Sequence, residues 1–318
     1  METTKPRNAS TADAPFNDPT DSVDLVIRTA DNVDFFVLSV LLSLRSPSSF
    51  FRHVLQPNQH TEERDGLPVL EVKEDSDTFR TILLFCYPYA SPEIKSVEQL
   101  VAVGKVLDKY CMDHTLERFI QTVIASSLIK EHAMGVFAHA VGNGWKELAE
   151  AAAKNMLTAP FDSEVELEDL RCIDALQYVR LRNYHRRCGK AAQALTPENH
   201  MPWLKGKTSD FLFLGSNDWC TLCGGYTTPW TIGDKTLYAH GWLNNYLVTV
   251  MAEVLGRPSS DIALDENIIA QAIANSISQC GANWAEVAGN QIHRFARLVA
   301  EEIDRRISQE PLNIDWAK

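Results

Sequence analysis

Apolar and polar positions alternate along the first ordered stretch of the chain. Val23, Leu25 and Ile27 are set against Asp24 and Arg28, a period of two that predicts a half-buried strand. Ala30-Asp31-Asn32 supplies turn residues, and Val33 to Leu38, rich in Phe and Val, predicts a second strand. The period then lengthens. Leu41, Leu42 and Leu44 mark a short helix, and Ser46-Pro47 offers an N-cap with proline at the first position of another helix, which carries Phe50, Phe51, Val54 and Leu55. A polar loop over Gln56 to Gly66 leads to a strand at Val69-Leu70-Glu71-Val72. Three helices follow, one started by Asp75-Ser76-Asp77 and ended by Tyr87-Pro88, one opened by the capping box from Ser96 to Gln99, and one after Asp113.

From Lys130 onward no strand period appears for about seventy residues. Met134, Phe137 and Val141 predict one helix, Trp145, Leu148, Ala152 and Met156 a second, and Leu167 to Cys188 a third. The breaker-rich stretch from Gly189 to Pro202 reads as a linker. Trp203 to Trp242 is rich in Trp and Gly and reads as an irregular insert, after which three helices close the chain. The fold class expected from this order is α+β: a small sheet wrapped by helices, then a mostly α-helical C-terminal half.

Charge narrows the function classes. The 318 residues carry a formal net charge of −12 and no basic block, so nucleic acid and anionic membranes are not expected partners. No apolar run reaches the length of a membrane span. Met1 to Ser22 has no apolar core of the kind a secretory signal needs, and residues 1–20 read as a disordered tail. The seven cysteines are odd in number and scattered. Reduced thiols, and with them a cytoplasmic or nuclear location, are the expectation.

The N-terminal order of elements resembles a BTB/POZ domain over residues 21–128. The match is carried by Asp24-Leu25-Val26-Ile27, Val33 to Leu44, Ser46-Pro47 with Phe50-Phe51-Arg52, Val69 to Val72, Phe79 to Pro88 and Leu107 to Tyr110. Phe85 to Pro88, Asp108 to Tyr110 and Tyr184 to Gly189 further resemble BTB proteins abundant in mushroom-forming fungi. Residues 129–190 then correspond to the helical segment that often follows such a domain, and 203–316 form a C-terminal helical domain. The resemblance implies a non-enzymatic protein–protein interaction module acting by oligomerisation or docking, with protein partners and a homodimer. Phe35, Phe36, Leu41, Leu42 and Leu44 fall on the surface through which these domains pair, and alternate strand residues cannot all face one core. The alternative is a substrate adaptor of a cullin-type ubiquitin ligase. Such adaptors carry an apolar-x-Glu motif after the second helix, and Gln56 to Gly66, with Glu62 and Glu63, lacks it. Leu38 stands where the family usually has histidine, and no strand is expected before Val23.

Cysteine spacing raises a second alternative, a metal-binding or redox protein. Cys220 and Cys223 have the C-x2-C spacing with which two thiolates reach one zinc. The related fungal proteins offer a second such pair, matched here by Cys280-Gly281-Ala282-Asn283, with Asn283 in place of the second cysteine. Cys280 and His240 are the remaining candidate ligands in this half. With the pattern one ligand short, idle thiols and no cofactor are expected. Gly206-Lys207-Thr208 ends like a phosphate loop, but Met201 stands where the motif requires glycine.

Overall fold

The computed structural model describes residues 9–46, 62–88, 91–161, 168–196, 201–216, 219–220 and 225–316. The chain divides into two compact units, residues 1–152 and 153–318.

The first unit is built on strands β1 (Ser10–Thr11), β2 (Leu25–Arg28), β3 (Val33–Val37), β4 (Glu63–Arg64) and β5 (Leu67–Glu71), in the order β1-β3-β2-β5-β4. β2 and β3 form an antiparallel hairpin in which Val26 faces Phe36, and β5 runs parallel to β2. Asn32 takes a left-handed conformation in the turn between β2 and β3, which asparagine tolerates better than most residues. Asp65 and Gly66 both have positive φ and close β4 onto β5, the conformation a two-residue hairpin turn demands.

Residues from Ser10 onward correct the expected tail. Ser10 and Thr11 pair in parallel with Val33 and Asp34, so a strand does precede Val23. Phe16, the one aromatic of this segment, is buried against Phe35 and edge-on to Tyr87, with ring centroids 6.1 and 5.2 Å away. Its carbonyl accepts the N–H of Phe36 at 3.0 Å. A two-residue strand is too short to show a period, and one buried aromatic supplies what the pattern lacks.

Helix α1 spans Ser39–Arg45, and its N-terminus is capped from a distance. Asp24, just before β2, accepts the N–H and the hydroxyl of Ser39, both at 2.6 Å. Leu38, at the position of the family's histidine, donates its N–H to the Tyr87 hydroxyl at 2.7 Å. Ser46, expected to open a second helix, closes α1 with its N–H on the Leu42 carbonyl. Its hydroxyl donates to the Tyr110 carbonyl at 2.6 Å. The helix expected around Phe50 to Leu55 lies outside the described residues.

The core of this unit lies between the sheet and helices α2 (Ser76–Cys86), α3 (Val97–Lys109) and α4 (Asp113–Ile124). Phe79, Ile82, Leu83, Leu100, Val103, Leu107, Phe119 and Val123 are all buried. Asp75 caps α2 through the Thr78 N–H, and Ser96 caps α3 through the Gln99 N–H. The short α5 (Leu128–Glu131), α6 (Ala133–Gly142) and α7 (Lys146–Asn155) continue the chain. Trp145 lies so close to α3 that a Cβ on Gly104 would come within 2.2 Å of its ring. Only glycine permits that approach.

The second unit contains α8 (Ala175–Gln193), β6 (Leu214–Gly215), β7 (Trp219–Cys220), β8 (Gly225–Tyr226), β9 (Thr228–Ile232), β10 (Lys235–Ala239), α9 (Gly241–Gly256), α10 (Glu266–Cys280) and α11 (Ala285–Ile307). α9 packs between α8 and α10, and α11 packs on both α8 and α10. α8 starts later than its apolar spacing predicts, because Asp174 and Gln177 form a capping box there. It also continues past Gly189, which is no linker residue. A Cβ on Gly189 would lie 2.4 Å from the Leu255 carbonyl oxygen, so this glycine permits close helix packing. The region expected to be irregular holds an antiparallel sheet of order β6-β10-β9 and the hairpin β7-β8. Phe295 of α11 gathers Trp203, Phe211, Phe213, Trp230 and Tyr246 around it at centroid distances from 5.7 to 6.2 Å.

Candidate functional site

The residues expected to form a pairing surface separate into two groups. Phe35, Phe36 and Leu42 are buried within the first unit. Phe35 packs on Phe79 beneath the helices, whereas Phe36, on the other face of β3, clusters with Val26 and Val69. Alternation does send the two rings to opposite faces, but both faces are covered. Leu41 is half-buried. Leu44 is 73 % exposed, and Val40, one helical turn earlier and not anticipated, is 47 % exposed. These two side chains, with Leu41 beside them, form an apolar stripe on the outer face of α1. The spacing Val40-x3-Leu44 was the available signal for it.

Charge holds the sheet that carries α1. Asp34 on β3 is fully buried and accepts from Arg28 at 2.7 and 2.9 Å and from Arg64. Arg28 also pairs with Glu62 at 2.5 Å, and the Arg64 guanidinium lies 5.7 Å from the centre of the Phe36 ring. Hydrogen bonding to Asp34 raises the pKa of Arg28 further above its ordinary value. Glu62, which the adaptor alternative would place in a docking loop, is thus engaged within the unit; residues 56–61 lie outside the described residues. A second carboxylate, Glu74, accepts from Lys109 at 2.5 Å and from the Tyr110 hydroxyl at 2.7 Å. Burial pushes its pKa up, but these two hydrogen bonds outweigh burial and hold it below the usual glutamate value.

In the second unit, the candidate ligands His240 and Cys280 meet. Cys280 is the last residue of α10, and the left-handed Gly281 turns the chain away behind it, at φ +88°. His240 precedes α9, with its N–H on the Phe213 carbonyl at 3.4 Å. The Cys280 Sγ is 3.5 Å from His240 Nδ1, and the Trp284 ring lies 5.0 Å from the imidazole. Burial lowers the pKa of His240. Cys220 ends β7, but its side chain and all of Cys223 lie outside the described residues. Among the described residues no three His, Cys, Asp or Glu side chains converge as a metal site.

The other buried thiols point away from reactivity. Burial pushes the Cys86 thiol up to about 12 and the Cys188 thiol up to about 11, the opposite of an activated nucleophile. His185, three residues before Cys188, places Nε2 3.1 Å from the Ala159 carbonyl oxygen. No helix among the described residues is long and apolar enough to cross a membrane.

No curated protein matches the chain in a sequence comparison. BTB/POZ domains are typically non-catalytic and mediate protein–protein contacts, often between identical chains. The model of that family matches residues 15–124, so the first unit of this chain contains a BTB/POZ domain that takes in Phe16, the hairpin, α1 and the helices through α4.

Proposed function

We propose that the chain is a protein–protein interaction module whose BTB/POZ domain pairs with a second copy of itself through α1. The observation that carries this reading is the apolar stripe Val40–Leu44, left in water on a helix whose inner residue, Leu42, is buried. Apolar surface left exposed on a rigid element is characteristic of interfaces. A helix face meeting its own copy across a two-fold axis needs no second kind of surface, so one stripe serves both partners. Phe35, Phe36 and Leu42 are buried within the unit and are not part of the proposed surface.

Sedimentation velocity of the full chain at micromolar concentration tests the proposal. A concentration-dependent dimer is expected, converted to monomer by Val40→Asp with Leu44→Asp while helicity is unchanged. A strict monomer, or a dimer indifferent to both substitutions, overturns it.

A further inference from the structure

We propose that the groove between α8 and α9 in the second unit is a docking site for an acidic amphipathic helix of a partner protein. Arg182, Arg186 and Lys190 follow one another at four-residue spacing on one face of α8, and all three are exposed. Among the described residues none of the three has an ion-pair partner. Arg180 and Arg187 of the same helix do, pairing with Asp315 and Glu310 in the segment after α11. Like charges four positions apart repel and weaken the helix that carries them. A row of unpaired cations also runs against the net charge of −12 that the rest of the chain builds up.

The cations border apolar surface left in water. Val179 on α8 is exposed, and so are Val248 and Leu255, seven positions apart on one face of α9. Gly189 lets α9 come close at Leu255, and a hollow opens along α8 on each side of that contact. One, of about 410 Å³, sets Arg182 and Arg186 against Phe161, Val179 and Leu255. The other, of about 480 Å³, sets Lys190 against Leu247, Val248 and Met251. Among the described residues no Asp or Glu lines either hollow. From Val179 to Gln193 the lining of α8 runs about 20 Å, the length of a helix of about fourteen residues. The occupant that fits has an apolar row to fill the hollows and, beside it, Asp or Glu at four-residue spacing to meet the three cations. An anionic bilayer would repel the net charge of the chain, and its flat surface does not enter recessed hollows. The groove lies in the second unit and makes no use of α1, so this partner is separate from the second copy proposed above.

The probe is a fluorescein-labelled helical peptide of about fourteen residues with one row of Leu and, beside it, Glu at positions i, i+4 and i+8. Anisotropy titration with the full chain should show saturable binding that weakens at least about tenfold as salt rises from about 0.05 to about 0.5 M. Val248→Asp should weaken it at least about tenfold, and Arg182→Glu with Arg186→Glu and Lys190→Glu at least about a hundredfold. Because such variants could lose binding by unfolding, the charge-reversed chain is also titrated with a Lys-for-Glu peptide, which should bind it and not the wild type. Val40→Asp with Leu44→Asp, which removes the α1 stripe, should leave binding of the Glu peptide unchanged, so that the two proposals fail separately. No saturable binding of the Glu peptide, equal binding of both peptides to the wild type, or no recovery with the Lys peptide overturns the proposal. So does capture of the chain by phosphatidylserine vesicles that the Glu peptide fails to displace, which would give the cations to a lipid surface. A wild-type dimer dissociated by the charge reversal would give the groove to a second copy and overturn it as well.

Discussion

The two units bury charge differently. In the first, Asp34 takes its arginines from positions 6 and 30 residues away, and Glu74 takes its partners from 35 and 36 residues away. In the second, the buried carboxylate Glu302 is satisfied by Arg305 and Arg306, three and four positions along its own helix. Buried ion pairs gain little over an apolar core, because desolvation offsets their attraction, but losing one partner is costly. The first unit therefore uses charge to fix which strands and helices come together. The second gathers aromatic rings on Phe295 and pairs its buried carboxylate within one helix; its sequence-distant pairs, such as Arg187–Glu310 and Arg294–Asp210, are more exposed. Sequence-distant ion pairs guard topology, while local ones decorate it.

That contrast can be broken most severely at Phe295. Replacing it with alanine removes the ring that five aromatics share and should cost about 4 kcal/mol, measured by denaturant titration of the full chain. The transition should then split in two, the second unit melting first. Asp34→Ala is the counterpart in the first unit. It leaves Arg28 and Arg64 without their shared carboxylate and should cost about 3 kcal/mol, with the first unit now melting first. Gly104→Ala sharpens the comparison without touching charge: the added methyl meets Trp145, and about 2 kcal/mol should be lost from the first unit.

Glu74→Gln should cost about 1.5 kcal/mol at neutral pH, through weakened hydrogen bonds from Lys109 and Tyr110. The folded pKa of Glu74 lies below its unfolded value, so its contribution is present above the ordinary glutamate range and is lost as pH falls through the folded pKa. The gap between wild type and Glu74→Gln should accordingly narrow on acidification below about pH 4.3. A gap that widens there contradicts the assignment.

Much of the first unit was legible because its elements are periodic: β2, β3, β5 and helices α2 to α4 fall where apolar spacing puts them. Two turns were equally legible and went unread. Asp65-Gly66 and Gly233-Asp234 are dipeptides that close hairpins; the first joins β5 to β4, and the second joins β9 to β10, and of these strands only β5 stood in the periodic reading. Other features leave no local trace. Asp34 sits at an outward-looking polar position of β3, and its burial is made tolerable by Arg28 across the hairpin and by Arg64, 30 positions away. Gly189 looks like a breaker until the Leu255 carbonyl comes beside it. At the candidate site, a two-residue apolar repeat on a seven-residue helix carries little periodic weight, so Val40 was missed and the conspicuous Phe35-Phe36 pair was chosen. Cys280 and His240 could be nominated by residue type but not brought together.

Self-pairing through α1 is tested most directly by a cysteine placed on the stripe. Cys111 is exposed, so Cys111→Ser is the background for Leu44→Cys in the full chain. Position 44 should lie close to its counterpart across the two-fold axis, and mild oxidation should give a covalent dimer. Val248→Cys, at a site 57 % exposed in the second unit, is the control and should stay monomeric. Rapid, near-complete dimer at position 44 alone is the predicted result; no dimer there, or equal yields at both positions, would contradict the account.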